Sequence, residues 1–366
     1  MFAEQKLKYD FRIFLLITAT FITLGVIFVY SSSSFYALES FKQPLYFVKK
    51  QLLGILVGLI SFFIVKKLPL QLFQHTSFIA LLGSLILNII TLTPLGYKVH
   101  GSQRWLNLSG FIFQPNELLK ITLVLYLASF LARKKITEKN SIKTLIPLAI
   151  LLGVICIVLL KQPDFGCMVT LCITAMIMLF IADLPVKYFI VTIGASIPVA
   201  FLLIYTQPYR WQRILTYLNP WQDPQGTGFQ IIQALIATGS GGTWGTGIAQ
   251  SKQKFLYLPM QHTDFIFAII AEEIGFIGSL FLIILCTLFL WFGFRLSWRL
   301  KDQFSIFLVQ GITTIISLQF IINLFVSTGL APTKGIGLPF ISYGNTALVC
   351  NMIMIGLIAN AVKEYY

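Results

Sequence analysis

Apolar side chains come in long runs separated by short polar or basic stretches, at about 13–30, 46–65, 72–93, 117–131, 145–160, 167–181, 188–205, 265–292, 304–327 and 340–362. Each run is near the length of roughly 20 residues that a helix needs to cross hydrocarbon. The pattern predicts an all-α, polytopic membrane protein of about ten transmembrane helices, with one membrane domain over 1–366. The first run follows Lys6, Lys8 and Arg12 and can pass for a signal peptide, but comparable spans follow it, so it reads as a retained first span. Ser31, Ser32, Ser33 and Ser34 read as its polar far end.

The connections alternate in character. One set is short and basic, with Lys66 and Lys67, then Arg133, Lys134, Lys135, Lys139 and Lys143, then Lys187, then Arg295, Arg299 and Lys301. Cytoplasmic loops carry such an excess, so both termini are expected inside and the opposite connections outside. Two outer connections have substance: 94–115, and the long loop at about 207–263 between the seventh and eighth helices. A loop of that length is functional or disordered, and Trp211, Tyr217, Trp221, Phe229, Trp244 and Phe255 argue against disorder. Within it, 228–238 reads as a short helix presenting Gln230 and Gln233 on one side.

Composition closes off other classes. With 57% hydrophobic and 11% charged residues, the chain cannot hide its apolar surface in one soluble core. The net charge of +14 would suggest nucleic acid in a soluble protein. Here the basic residues stand at the ends of apolar runs, where they set topology and meet lipid headgroups, so no nucleic-acid partner is expected. Cys156, Cys167, Cys172, Cys286 and Cys350, with His75, His100 and His262, form no metal-ligand spacing.

The polar loop 258–264 runs into the eighth helix and carries Asp264 with it, to the boundary between water and hydrocarbon. Thr263 or Asp264 can cap that helix, so the carboxylate is either a cap or a functional group. Glu272 lies roughly 80° around a continuous helix from Asp264 and about 12 Å along it, while Glu273 faces nearly opposite. On that geometry Glu272 shares a cavity with Asp264. Glu117 and Lys120 stand three apart on one helical face and can neutralise each other; Asp164 sits in a tight connection near Lys161, where a turn-forming Asp is ordinary. The glycine-rich stretch 239–247, with Arg210 and Arg213 before it and Lys252 and Lys254 after it, can hold a diphosphate through cations and backbone N–H groups, although surface solvation explains a basic loop as well. It is not a Walker motif. The segment 332–344 is so rich in Gly and Pro that close backbone approach to another segment or a ligand is required.

RWLNLSGFIFQPNELLK (104–120), KQPDFG (161–166), GTGFQIIQALIATGSGG (226–242), HTDFIFAIIAEE (262–273) and GLAPTKGIGLPFISYG (329–344) occur in the order seen in SEDS proteins, the shape, elongation, division and sporulation family. These blocks cover nearly the whole chain. The PTKG form of the last block and the YLPMQHTDF context resemble the division-type branch more than the elongation-type branch. The resemblance implies a ten-helix peptidoglycan glycosyltransferase of the bacterial plasma membrane that polymerises lipid II on the outer face during division. The expected partners are a class B penicillin-binding transpeptidase, other divisome membrane proteins and membrane lipid. By motif match the family's essential carboxylate falls on Asp264, while Arg104, Trp105, Glu117, Lys120 and Asp164 fall on positions lining or supporting its cavity. His262, Thr263, Glu272 and Gln233, with Arg210, Arg213, Lys252 and Lys254, complete the candidate substrate site. Two departures stand out: Met260 replaces a usual glutamate, and Asn345 a usual glycine, where it can still adopt a left-handed conformation but adds bulk to a tight site.

Joining sugars from a polyprenyl diphosphate donor needs a base for the attacking hydroxyl and positive charge for the departing diphosphate. Asp264 can be that base, or can hold a divalent cation, Mg²⁺ or Mn²⁺, against the diphosphate. Lys120 and the loop's basic residues can stabilise the leaving group. Two other classes remain open at this level: a lipid II flippase lined by Glu117, Lys120 and Asp164, and a non-catalytic scaffold for the transpeptidase.

Overall fold

The computed structural model describes residues 2–99, 102–108, 111–133, 141–255, 258–259 and 261–365. Met260, and Lys134, Lys135 and Lys139 of the basic connection, lie outside them. The helices, in chain order, are α1 (Phe2–Phe41), α2 (Tyr46–Lys67), α3 (Leu70–Ile90), α4 (Pro115–Arg133), α5 (Ser141–Lys161), α6 (Phe165–Ile181), α7 (Val186–Tyr205), α8 (Pro208–Leu218), α9 (Phe229–Ser240), α10 (Ile266–Ser297), α11 (Gln303–Ser327) and α12 (Asn345–Lys363). Eight of these, α1 to α4, α7 and α10 to α12, are long and apolar enough to cross a membrane; α5 and α6 are apolar but shorter over their described residues. The chain is a multi-pass membrane protein.

At the centre α4, α11 and α12 are buried along most of their length. Close approach there relies on small residues, as association in lipid favours. Gly54 and Gly58 of α2 pack against Asn345 and Met352 of α12, and Gly356 packs on the α2 backbone at Phe62. Asn360 donates to Val65 O and Leu68 O at 2.8 and 2.7 Å, tying the other ends of the same two helices. By contrast α7 has no buried residue and packs mainly on α8.

The fold is mostly helical as expected, and two local features differ from the sequence reading. A small antiparallel sheet is formed by β1 (Gly96–Val99), β2 (Ser102–Leu108) and β3 (Phe111–Phe113), in the order β1-β2-β3. Leu106 opposes Phe113, and Gln103 braces the sheet by donating to Thr93 O at 2.9 Å. Alternation across the Ser109-Gly110 pair is a hairpin signal in the sequence itself. The serine run does not end the first helix either, since α1 continues to Phe41. Ser32 and Ser33 return their hydroxyl protons to Phe28 O and Val29 O, so their polarity is absorbed inside the helix.

Candidate functional site

The site is built on a broken helix. In α10 Gly275 has φ 67° and ψ −165°, which divides the element into a first part, 266–274, and a long second part. The glycine-rich loop docks its backbone into the break: Phe276 N and Ile277 N donate to Gly242 O and Thr243 O at 2.8 and 3.2 Å, while Thr246 N and Gly247 N donate to Glu272 O and Glu273 O at 2.9 and 3.0 Å. Polar backbone groups freed by a break inside a membrane protein must be met by protein, and here the loop meets them. Side chains at Gly245 or Gly275 would collide with the facing backbone. The glycines of 239–247 therefore serve this docking, and their N–H groups at 246 and 247 are spent on α10 rather than held for a phosphate.

Every residue from Phe265 to Glu273 is buried, so the first part of α10 lies inside protein. Phe265 holds its cap position and no side chain caps it. Asp264, half-buried immediately before it, is thus not consumed as a helix cap. Its surroundings are fixed by the 332–344 segment: Ser342 Oγ donates to Thr263 O at 2.6 Å, Tyr343 N to His262 O at 2.9 Å, and Asn323 Nδ2 bridges Asp264 O and Ile336 O at 2.8 and 2.7 Å. Gly335 lies directly against the carboxylate, and a carbon added there would be 3.1 Å from Asp264 Oδ2. This is the close approach that the glycines of 332–344 imply.

Arg104 and Arg213 act on the Asp264 carboxylate, and Lys334 lies next to them beside the Asp164–Arg104 pair. Arg104 of β2 is held by Asp164 at 3.6 Å, by Gln162 O at 3.3 Å and by Pro163 O. Asp164 is itself fixed, accepting from Cys167 N as the cap of α6 and from Asn116 Nδ2 at 2.7 Å. Arg213 of α8 donates to Thr333 O at 2.6 Å. Lys334 lies across bare Gly166 at the start of α6, where any side chain would collide with it. Burial pushes the Asp264 carboxyl up to about 6, against the pull of the Arg104 and Arg213 charges. Burial likewise lowers the Lys334 ammonium to about 8, resisted by Asp164 and assisted by Arg104.

A family model described as "Cell cycle protein", covering FtsW, RodA and SpoVE, matches residues 11–366. The chain belongs to the FtsW/RodA/SpoVE family. It is 38% identical over 354 residues to the probable peptidoglycan glycosyltransferase FtsW of Geobacter sulfurreducens, covering 96% of this chain and 95% of that one. It is 36% identical over 351 residues to the stage V sporulation protein E of Bacillus subtilis, covering 95% of each. A solved structure from a study of polymerization and crosslinking by a peptidoglycan synthase complex superposes with a TM-score of 0.79 at 27% identity, covering 96% and 97% of the two chains. The RodA structure of Thermus thermophilus shares the fold at a TM-score of 0.71 and 23% identity.

The other candidate residues of this FtsW/RodA/SpoVE chain are distributed differently from the expectation. Glu272, expected in the Asp264 cavity, instead accepts from Ser251 Oγ at 2.5 Å and Lys252 N at 2.8 Å. Glu273 accepts from Ser31 Oγ at 2.5 Å and pairs with Lys254 at 3.6 Å. Both acids hold the outer loop, which removes Lys254 from the substrate site and leaves Lys252 exposed beside it. The wheel geometry that placed Glu272 near Asp264 ignored the loop inserted against the far end of this half-helix. Lys120 is paired with Glu117 at 2.7 Å and donates to Gln319 at 3.0 Å, a buried pair not free to take up new charge. Arg210 turns back to Leu203 O at 2.9 Å and stacks on Phe165. His262 packs among Tyr36, Phe47 and Tyr343, and burial lowers its pKa to about 4, so it is neutral. Trp105 is half-buried in β2 opposite Tyr97, and Gln233 is half-buried on α9. Asn345 is helical, opening α12 beside Gly54; the left-handed residue of its segment is Phe340, at φ 63°.

Lys334 is the residue the motif reading passed over. It is the lone charged side chain between Asp302 and Lys363, and that isolation was the available signal. As for a metal, no group of three or more His, Cys, Asp or Glu side chains converges among the described residues. Were a Mg²⁺ or Mn²⁺ ion to enter with the diphosphate, Asp264 is the carboxylate of this site that would hold it, since hard cations prefer such oxygens.

Proposed function

We propose that this chain is a peptidoglycan glycosyltransferase of the division branch, which polymerises lipid II on the outer face of the bacterial plasma membrane. The observation that carries the reading is the Asp264 carboxylate, left uncommitted to a cap, with its pKa raised by burial and the charges of Arg104 and Arg213 acting on it. The basic ends of α2, α4, α10 and α12, at Lys66, Lys67, Arg133, Arg295 and Lys363, support a cytoplasmic placement for that side and for both termini. Asp264 then lies toward the outer face, consistent with action at the septum beside a class B penicillin-binding transpeptidase.

In the reaction the acceptor sugar oxygen attacks the anomeric carbon of the donor, its proton passes to Asp264, and the bond from that carbon to the diphosphate oxygen breaks. One displacement inverts the anomeric centre and releases undecaprenyl diphosphate. Arg104 and Lys334 receive the developing diphosphate charge, and Arg213 holds the 332–334 backbone that presents Lys334. In the alternative arrangement Asp264 would hold a divalent ion instead of taking the proton, and that ion would supply charge neutralisation to the diphosphate. Asp164 acts through Arg104, and the Glu117–Lys120 pair supports α4 beneath.

The test is direct. Purified protein, with and without its transpeptidase, is given labelled lipid II and Mn²⁺, and glycan ladders are resolved on gels. Ladders that vanish with Asp264→Asn while the complex stays intact support the polymerase; undiminished ladders refute it. If wild-type protein makes no ladder but moves lipid II across liposomes independently of Asp264, the flippase reading replaces it.

A further inference from the structure

An apolar surface lies on the opposite face of α2 from the aromatic layer around His262. There α1 turns to α10 and α2 to α12, and the two helices leave between them an apolar groove of about 380 Å³ lined by Val26, Ile27 and Tyr30 of α1, Leu45 just before α2, Val48 of α2, and Ile248 of the outer loop. That volume falls within the roughly 300 to 1,000 Å³ of ordinary ligand pockets. Phe47 points inward to His262 while Leu45 and Val48 face the groove, so the layer of Tyr36, Phe47, His262 and Tyr343 separates this groove from Asp264.

The rim is charged in an unexpected sense. Lys42, Lys49 and Lys50 cluster at the end of α1 and start of α2 that shares its side of the bundle with Asp264, where the positive-inside bias would place few basic residues; Glu39 is the acid among them. Lys50 is engaged with the Tyr46 hydroxyl at 2.7 Å and sits over its ring. Lys42 and Lys49 are exposed, and Lys49 follows Leu45 by one helical turn, on the groove face. An apolar groove next to the segment that carries two exposed lysines matches a hydrocarbon tail with a phosphate head.

We propose that this groove seats one acyl chain of an anionic phospholipid of the outer leaflet, with its phosphate between Lys42 and Lys49. The consequence reaches further than anchoring. Ile248 roofs the groove, next to Ala249 in a left-handed backbone at φ 65°, and Ala249 O accepts from Lys254, the partner of Glu273. Ser31, at the groove's α1 wall, donates to the same Glu273. A bound chain therefore presses on the loop that is bolted to the half-helix behind Asp264.

Delipidated full-length protein in detergent is equilibrated with equal amounts of phosphatidylglycerol and phosphatidylcholine of identical chains, and retained lipid is counted by native mass spectrometry. One phosphatidylglycerol is expected to be held in preference. Lys42→Gln and Lys49→Gln should each lower that preference about fivefold while leaving phosphatidylcholine retention unchanged. Ile27→Trp, at a position already 40% exposed, should fill the groove and remove the adduct with no change in melting temperature. Equal retention of the two lipids, or an adduct that survives Ile27→Trp, overturns the proposal. Displacement of phosphatidylglycerol by undecaprenyl phosphate at equal concentration assigns the groove to a prenyl lipid instead, and a dimer dissolved by Ile27→Trp assigns it to a second copy of this chain; either result overturns the phospholipid.

Discussion

Asp264 and Lys334 sit at opposite ends of one titration argument. As a base Asp264 works ionised, so the rate should climb as pH rises through about 6; Lys334 works charged, so the rate should fall as pH rises through about 8. A bell-shaped kcat/KM profile is expected for lipid II polymerisation, and Lys334→Gln should lower the rate and flatten the alkaline limb while sparing the acid one. Asp264→Asn should cost about 10² to 10⁴ in rate, the usual worth of general base catalysis, with the melting temperature unchanged because the carboxylate holds no helix cap. Under the alternative in which Asp264 holds a divalent ion that arrives with the diphosphate, chelation by EDTA should slow polymerisation and Mn²⁺ should restore it without shifting the melting temperature. Asp264 was legible in the sequence as a charge entering an apolar run. The worth of Lys120 was not, because Gln319, which with Glu117 engages it, lies about two hundred residues away along the chain.

At the scale of the element, the decisive event is the break in α10. A continuous helix over 266–297 is what the apolar run implies, and on it Glu272 belongs near Asp264. The glycine-rich loop alters this by lending its backbone to the break, and Glu272 and Glu273 then become anchors for 251–254. Glu273→Gln leaves the Lys254 ammonium buried without its countercharge, a change that typically costs about 3 to 5 kcal/mol. Reversible denaturation in detergent should show the loss, along with easier proteolysis of the outer loop. Gly275→Ala forces a side chain into φ 67° against the backbone of Trp244 and Gly245, and strain of that kind costs roughly 1 to 3 kcal/mol. The same denaturation experiment measures it.

The whole molecule is a bundle whose two ends differ in charge, and its orientation is open to labelling. Trp244→Cys, at a position 79% exposed in the outer loop, should react in whole cells with a membrane-impermeant maleimide, whereas Lys187→Cys should react only after the membrane is opened. The five native cysteines, buried or half-buried in apolar helices, give a low background. Helix α7 shows where the pattern stops being informative. Its apolar run matches those of the bundled helices, yet it buries no side chain, while α4, with a lower hydropathy, is buried along most of its length.

What the chain alone determined is its class, the position of its apolar helices and the few charges that enter them. Transfer of side chains into hydrocarbon is a local property, summed residue by residue along each run. The tertiary structure decided which of those charges remain available. Ser31 meets Glu273 across 242 positions, a three-stranded sheet carries Arg104 to the loop of Asp164, and Asn323 pins the backbone at Asp264. Such pairings depend on which segments are folded against one another, and no window of sequence contains both partners.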